Sequence, residues 1–369
     1  MSNSNNRILI VIPSLTLGGA EKQAFEYAKA LIKLGYHPVV LGMGRIGELE
    51  LKLKKEKIES HTFSFNKFFS TNKLRQLFVL VRFIFFLRKL KCEKVIPFTY
   101  WPNVILRLVY KFSRISEIYW NQRSVDSELP IILWERLGLK FKSKYIANSI
   151  ASATSVCKRH HVDFKKVAVI YNVMELSEGT KSITKSTSIN IVMVANFFPE
   201  KDHETVLLSF NRIIKNYPDL NFKLHLVGVS PGKSPKLLEM KSLAFDLNLC
   251  SKVIFYGVLT DVKQVLSQMD LAILSTFSEG FSNAIMEYMD EGLPIIATDI
   301  PANIEALTIE NEQYLFPISD ENKLTKLISR FVEDYELRNK VGARNKELAN
   351  LRFNQINLLT ALKDTLTLN

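Results

Sequence analysis

Residues 275–307 read STFSEGFSNAIMEYMDEGLPIIATDIPANIEAL. The apolar run LAILST (271–276) ends in a polar turn holding Glu279 and Gly280. A helical pattern starts near Asn283, and a second apolar run, PIIATD (294–299), follows Gly292. Strand, turn, helix and strand in this order make a βαβ unit, whose two strands are parallel. Glu279 lies in the loop, and Glu287, seven residues of spacing later, lies one turn into the helix. Phe281, Ser282 and Asn283 place backbone N–H groups at the helix N-terminus, where an anion is stabilised. Ionised carboxylates accept hydrogen bonds from vicinal sugar hydroxyls, so this pair beside a phosphate-sized pocket suits hydroxyl recognition. An ordinary surface helix with an acidic first turn fits the same residues.

The alternation extends in both directions. Strand-like runs precede the linker at ILIVIP (8–13), HPVVLGM (37–43), KVIPF (94–98), EIYW (117–120), KYIANS (144–149) and KVAVIYN (166–172). The polar stretch ELSEGTKSITKSTS (175–188) has no apolar periodicity and reads as a linker. After it come INIVMVAN (189–196), KLHLVGV (223–229), KVIFYG (252–257) and YLFPI (314–318), with helices expected at 203–216, 235–248, 262–269 and 283–291. Repeated alternation predicts parallel sheets covered by helices on both faces. The expected organisation is an N-terminal Rossmann-like domain (1–176), a linker (177–188), a C-terminal Rossmann-like domain (189–350) and a final helix (351–369) packing back on the first domain. Ligands in such folds bind at the carboxyl ends of the strands.

With 369 residues, 47% apolar and 23% charged, the chain is neither a disordered tail nor a fibre, and 14 Gly and 12 Pro leave no low-complexity stretch. Cys92, Cys157 and Cys250 form no CxxC pair, which suits a reducing compartment and argues against a structural zinc. The polar MSNSNNR start and the short run 8–12 do not fit a secretory signal. The longest apolar stretch, 77–87, contains Arg82 and is too short to span a bilayer. A cytoplasmic protein is expected.

Charge is divided unequally. Residues 1–178 hold 29 Lys and Arg against 14 Asp and Glu, a net +15, whereas 179–369 are at −3. Such a basic field attracts anionic membranes or phosphorylated substrates; nucleic acid is not expected, because no recognition motif is present. Seven basic residues between 73 and 94 surround LFVLVRFIFFL. That segment reads either as an amphipathic helix in a membrane interface or as a helix packed on a sheet with snorkelling lysines.

EGFSNAIMEYMDEGLPIIATDIPANIEAL resembles the donor-site signature of the retaining glycosyltransferases of family 4, which have the GT-B fold: two doubly wound Rossmann-like domains facing each other across a cleft. IPSLTLGGAEKQAFEYAKALIKLGYHPVVL, IANS (146–149), VIYN (169–172), VANFFPEKDHETVLLSF and FYGVLTDVKQVLSQMDLAILST resemble further landmarks of the family in the same order. The resemblance implies that Glu287 binds the nucleotide ribose and Glu279 the donor sugar. The amides of Phe281, Ser282 and Asn283, with Gly280 beside them, would hold the diphosphate. Lys201 would neutralise it as it leaves, and Gly18 and Gly19 would let the N-terminal loop approach the donor phosphates. Lys201 and Glu279 are the expected catalytic pair.

Two departures stand out. Asn196 occupies a donor-binding position where many members have Arg, so either Lys201 carries more of the diphosphate charge or Arg123 substitutes as the phosphate or acceptor cation. The N-domain strand that often ends in His ends here in FTYW (98–101), leaving Thr99 and Tyr100 to line the site.

The chemistry needs no metal: positive charge develops at the anomeric carbon and negative charge on the diphosphate, which Lys201 and helix-terminal amides stabilise. GVSPGKS (228–234) has three residues between its glycines where a P-loop has four, and His160–His161 do not form HExxH. Phe63, Phe65, Phe68 and Phe69 read as core or as an acceptor-lipid contact.

The expected function is sugar transfer from a nucleotide sugar, a UDP-sugar, to a lipid-linked or oligosaccharide acceptor in polysaccharide biosynthesis. The expected location is peripheral, on the inner face of the cell membrane, with an anionic membrane surface as partner and no cofactor. A non-catalytic scaffold subunit of the same fold and a nucleotide-sugar epimerase are the alternatives.

Overall fold

β1 (Arg7–Ile12) is apolar and buried at five successive positions because both of its faces are covered. Ile8, Ile10 and Ile12 turn to one side and pack with Ala24, Tyr27, Ala28 and Leu31. Leu9 and Val11 turn to the other and meet Val79, Leu80, Phe83 and Leu87. A strand buried on both faces loses the apolar–polar alternation of a half-exposed one, hence the continuous run ILIVI.

The structure, a computed structural model, describes residues 6–66, 68–69, 72–125, 130–179, 188–230, 235–257, 259 and 261–367. Residues 180–187 of the expected linker and 231–234 of GVSPGKS lie outside them. The chain divides into two units, Met1–Met174 with Gln355–Asn369, and Glu175–Asn354.

In the first unit β1, β2 (His37–Gly42), β3 (Glu59–Thr62), β4 (Lys94–Pro97), β5 (Glu117–Gln122), β6 (Lys144–Ala147) and β7 (Val167–Val169) form a parallel sheet in the order β3-β2-β1-β4-β5-β6-β7. Helices α1 (Gly19–Lys33), α2 (Glu48–Lys55), α3 (Lys73–Leu90), α4 (Tyr100–Val109), α5 (Leu133–Gly138) and α6 (Ile150–His160) connect the strands. The edge strand β3, ESHT, was not expected: it buries no residue fully and has no apolar alternation to reveal it.

The second unit repeats the design with β8 (Ser188–Val194), β9 (Asn221–Val227), β10 (Val253–Phe255), β11 (Leu271–Leu274), β12 (Ile295–Thr298) and β13 (Leu315–Phe316), in the order β10-β9-β8-β11-β12-β13. Its pairs are again parallel. Its helices are α7 (His203–Asn216), α8 (Lys236–Asp246), α9 (Lys263–Leu266), α10 (Asn283–Asp290), α11 (Pro301–Leu307), α12 (Glu321–Glu333) and α13 (Tyr335–Arg352). The helix expected at 262–269 is a single turn, α9. The last helix, α14 (Gln355–Thr367), belongs to the first unit, where Leu358, Leu362 and Leu366 join the α1 side of the core.

The two readings of the basic apolar segment are not exclusive. One face of α3 is buried through Val79, Leu80, Phe83, Leu87 and Leu90, while Leu74, Leu77, Phe78, Val81 and Phe85 point outward. The phenylalanine cluster is divided in the same way, with Phe65 and Phe68 buried and Phe69 exposed. Among the described residues no helix is long and apolar enough to cross a membrane.

Candidate active site

In each sheet the chain reverses its direction of winding beside the first strand, so crevices open at the carboxyl ends of β1 and β4, and of β8 and β11. Gly18, Thr99, Asn196 and Glu279 lie in the segments that follow these four strands, whereas Arg123 follows β5.

In the second unit the loop after β8 is fastened to the turn after β11. Lys201 and Thr276 form an antiparallel bridge, the Asp202 amide donates to Ser275 O at 3.1 Å, and the Phe277 amide donates to Glu200 O at 2.9 Å. The Thr276 amide in turn donates to Thr298 Oγ1 at the end of β12, at 3.2 Å. This lacing brings Lys201 Nζ into contact with the Glu279 carboxylate, with Thr276 Oγ1 3.3 Å from the same nitrogen. Both side chains are largely shielded, at 12% and 19% exposure, so the pair is stronger than one in open water.

α10 starts immediately beyond. Ser282 caps it by accepting from the Ile285 amide. The helix is buried all round except at Asn283 and Glu287, which are four apart and therefore share one face. Three ties hold that orientation. The Val194 amide donates to Tyr288 Oη at 2.5 Å, Phe281 packs edge-on to Phe353 at 5.5 Å, and buried Asp290 accepts from Lys346 at 2.7 Å. Burial alone would raise the Asp290 carboxyl, but hydrogen bonds from Lys346, Ser177 and Lys263 outweigh it and hold it below its usual value.

Asn196 has a role that the sequence did not disclose. Its Oδ1 accepts from the Val229 amide at 3.0 Å, tying the Lys201 loop to the end of β9. Gly228 permits this approach, since a Cβ there would lie 2.1 Å from Ala195 O. His203 supports the loop from below. Fully buried and stacked on Phe197 at 4.2 Å, it has Nδ1 3.3 Å from Lys201 O and Nε2 3.3 Å from Ala195 O. Burial pushes its pKa down to about 4, against the two carbonyls that favour protonation, so the ring is neutral and donates to one carbonyl at a time.

In the first unit Gly18 is the N-cap of α1 and Gly19 its first residue. A Cβ at Gly18 would meet Glu21 Oε2 at 2.4 Å, so here glycine makes room for a carboxylate of its own chain. Arg123 follows β5, donates to Asn172 Oδ1 at 2.5 Å and lies over the Phe98 ring at 4.9 Å. Its Nη1 is buried without a hydrogen-bond partner.

Thr99, at the end of β4, has φ +70° and ψ 173°, a conformation foreign to branched side chains. Asn103 holds it there, donating to Thr99 O at 2.8 Å and to Asn121 O at 2.8 Å. Strain of this kind collects where geometry matters for function. Tyr100 is anchored: its hydroxyl donates to Glu135 Oε2 at 2.7 Å. Glu135 is fully buried and also accepts from Arg159 at 2.7 and 2.6 Å, with His160 Nε2 at 2.9 Å. Burial would raise its pKa; the hydrogen bonds from His160, Arg159 and Tyr100 reverse that and bring it down to about 2. Sequence reading missed this network, since a glutamate on a short helix ordinarily faces water.

Residues 178–348 match the family model described as glycosyl transferases group 1. The matched residues lie within the second unit. Protein CapJ of Staphylococcus aureus is 28% identical over 240 residues, 63% of this chain and 58% of that protein. The UDP-Gal:alpha-D-GlcNAc-diphosphoundecaprenol alpha-1,3-galactosyltransferase of Escherichia coli is 25% identical over 191 residues, 48% of each chain. The matched stretches thus span about half the length of these relatives. Among solved structures, Anabaena Alr3699/HepE in complex with UDP-glucose superposes with a TM-score of 0.82 at 18% identity, covering 98% of this chain and 99% of that one. The fold of the two units is that of the GT-B glycosyltransferases.

Proposed function

We propose that the chain is a retaining glycosyltransferase that moves a sugar from a UDP-sugar to a lipid-linked or oligosaccharide acceptor in polysaccharide or glycan biosynthesis. The observation that carries this reading is the Lys201–Glu279 pair, held at the mouth of α10 beside the one face, Asn283 and Glu287, that the helix leaves accessible. The printed names of relatives support the substrates: the E. coli galactosyltransferase uses UDP-Gal and a diphosphoundecaprenol-linked sugar, and Anabaena HepE was crystallised with UDP-glucose.

In this scheme Glu287 accepts hydrogen bonds from the ribose hydroxyls and Glu279 from the donor sugar. The amides of Gly280, Phe281, Ser282 and Asn283 receive the diphosphate, and Gly18 and Gly19 keep the turn before α1 free of side chains for a donor phosphate. Lys201 exchanges its partner Glu279 for the diphosphate as the anomeric C–O bond breaks. The acceptor hydroxyl bonds to the anomeric carbon on the face the diphosphate leaves, and its proton passes to a phosphate oxygen, so configuration is retained. Positive charge on the sugar and negative charge on the leaving group are both met by fixed groups, and no step is assigned to a metal or cofactor. Thr99, Tyr100 and Arg123 serve the acceptor and its phosphate. The enzyme works at the inner face of the cell membrane as a peripheral protein.

Turnover of a panel of nucleotide sugars, followed as nucleotide release for the wild type and Glu279→Gln, tests this. Slow hydrolysis of a UDP-sugar, lost in the variant, is expected, with product of the donor's anomeric configuration once acceptor is added. Absence of both binding and turnover would favour the scaffold subunit. An epimerised sugar formed without acceptor would favour the epimerase.

A further inference from the structure

α3 has two apolar faces on opposite sides. The inner one is part of the core. The outer one, Leu74, Leu77, Phe78, Val81 and Phe85, follows the i, i+3, i+4, i+7, i+11 spacing of a helical stripe. These side chains are open to solvent, Leu74 at 79% and Phe78 at 62%. Single exposed apolar residues are ordinary on a protein surface; five aligned on one helix face are not.

The charges around the stripe have a single sign. α3 contains Lys73, Arg75, Arg82, Arg88 and Lys89 and no Asp or Glu. Arg82 lies over the Phe78 ring at 5.9 Å and Arg88 over the Phe85 ring at 5.4 Å, so the guanidinium groups border the stripe. Beyond the N-terminal end of the helix, exposed Phe69 packs edge-on to Trp101 at 4.9 Å, and Trp101 meets Tyr100 at 5.6 Å. An apolar and aromatic surface thus extends from the outer face of α3 toward the strained turn at the end of β4.

We propose that the outer face of α3 docks on an anionic bilayer, the stripe entering the headgroup–acyl boundary while the flanking cations meet lipid phosphates. The charge pattern selects this occupant. A bilayer offers a flat apolar layer beneath a continuous negative surface, which matches an apolar stripe bordered by cations along its whole length. A second copy of this chain would bring the same cations against themselves. The proposal rests on the lipid-linked acceptor of the preceding section and adds where the membrane lies: beside Tyr100 and Thr99, the end of the first unit assigned to the acceptor.

Flotation of the full chain with vesicles, without donor or acceptor, tests the docking apart from catalysis. Vesicles of phosphatidylcholine alone and of phosphatidylcholine with 30% phosphatidylglycerol (about one anionic lipid in three) are compared. Binding to the anionic vesicles only is expected. Phe78→Ser with Phe85→Ser should weaken it at least tenfold, and Arg82→Gln or Lys89→Gln should weaken it about fivefold each. Thermal melting confirms that the variants, all at exposed positions, remain folded. Equal binding to both vesicles, no binding, or binding indifferent to Phe78 and Phe85 would each overturn the proposal. So would a concentration-dependent dimer that the Phe78/Phe85 variant abolishes. Nucleotide release from the donor is read in parallel; its loss with vesicle binding intact contradicts the catalytic reading and leaves the docking surface standing.

Discussion

Lys201 Nζ and the carboxylate of Glu279 are in contact, although the two residues are 78 positions apart in the chain. Lysine comes from the loop after β8 and glutamate from the turn after β11, the two strands that flank the reversal of winding. Each offsets the charge of the other. A donor diphosphate would draw the lysine away and release the glutamate for a sugar hydroxyl, so one exchange prepares both groups.

Lys201→Ala should lower nucleotide release by about a hundred- to a thousandfold, the usual effect of removing one group that stabilises a leaving anion. Stability should fall as well, because the largely shielded Glu279 loses its counter-charge. Initial rates at saturating donor together with a melting curve check both statements.

Glu287→Gln should act on binding more than on chemistry. A hydroxyl-binding carboxylate remote from the bond that breaks holds ground state and transition state alike, so KM for the donor should rise about tenfold with kcat nearly constant. Equal losses in kcat and kcat/KM would assign Glu287 to the transition state.

The neutral buried His203 links stability to pH. Its folded pKa, about 4, lies below its ordinary 6.5, so the unfolded chain takes up a proton first as pH falls. Stability is complete above pH 6.5 and should decline between 6.5 and 4 by roughly 3 kcal/mol from this residue alone. Urea titrations across that range should show a flatter profile for His203→Gln.

Glu135 should matter for the first unit in a different pH window. With a folded pKa of about 2 against an ordinary 4.5, it stabilises fully above pH 4.5 and loses that contribution as pH falls toward 2. Glu135→Gln leaves Arg159 buried without its counter-charge and should cost about 3–5 kcal/mol at neutral pH, measured by urea denaturation.

Gly228→Ala places a Cβ against Ala195 O, and the only relief is a shift of the segment that carries Asn196 and Lys201. It should destabilise the protein by about 1–3 kcal/mol and weaken donor binding although residue 228 is not assigned to the donor. Paired melting and titration data on the one variant check this.

The parallel sheets were legible because strands such as β1 and β11 are buried on both faces and must be apolar throughout. β3 was not, since an edge strand of Glu, Ser, His and Thr has no pattern to read. Residues in the α10 signature could be marked because a strand–turn–helix pattern coincides there with a family resemblance; the pattern alone also fits an ordinary surface helix. The Lys201–Glu279 contact could not, because it depends on which loops the sheet order makes neighbours. Asn196 seemed a lost cation; the structure uses its side chain to hold the loop, which no local pattern encodes. Glu135, Arg159 and His160 escaped for the opposite reason, as charged residues that the fold buries and pairs. The double face of α3 left a continuous apolar run in which the inner and outer stripes can be separated only once the core side is known.

The most direct test of the central claim is a calorimetric titration of UDP into the wild type, Lys201→Ala and Glu287→Gln. One site per chain is expected, with affinity reduced about tenfold or more in each variant. Binding of UDP with the same affinity to all three proteins would contradict the assignment of the donor site to the Lys201–Glu279 loops and α10.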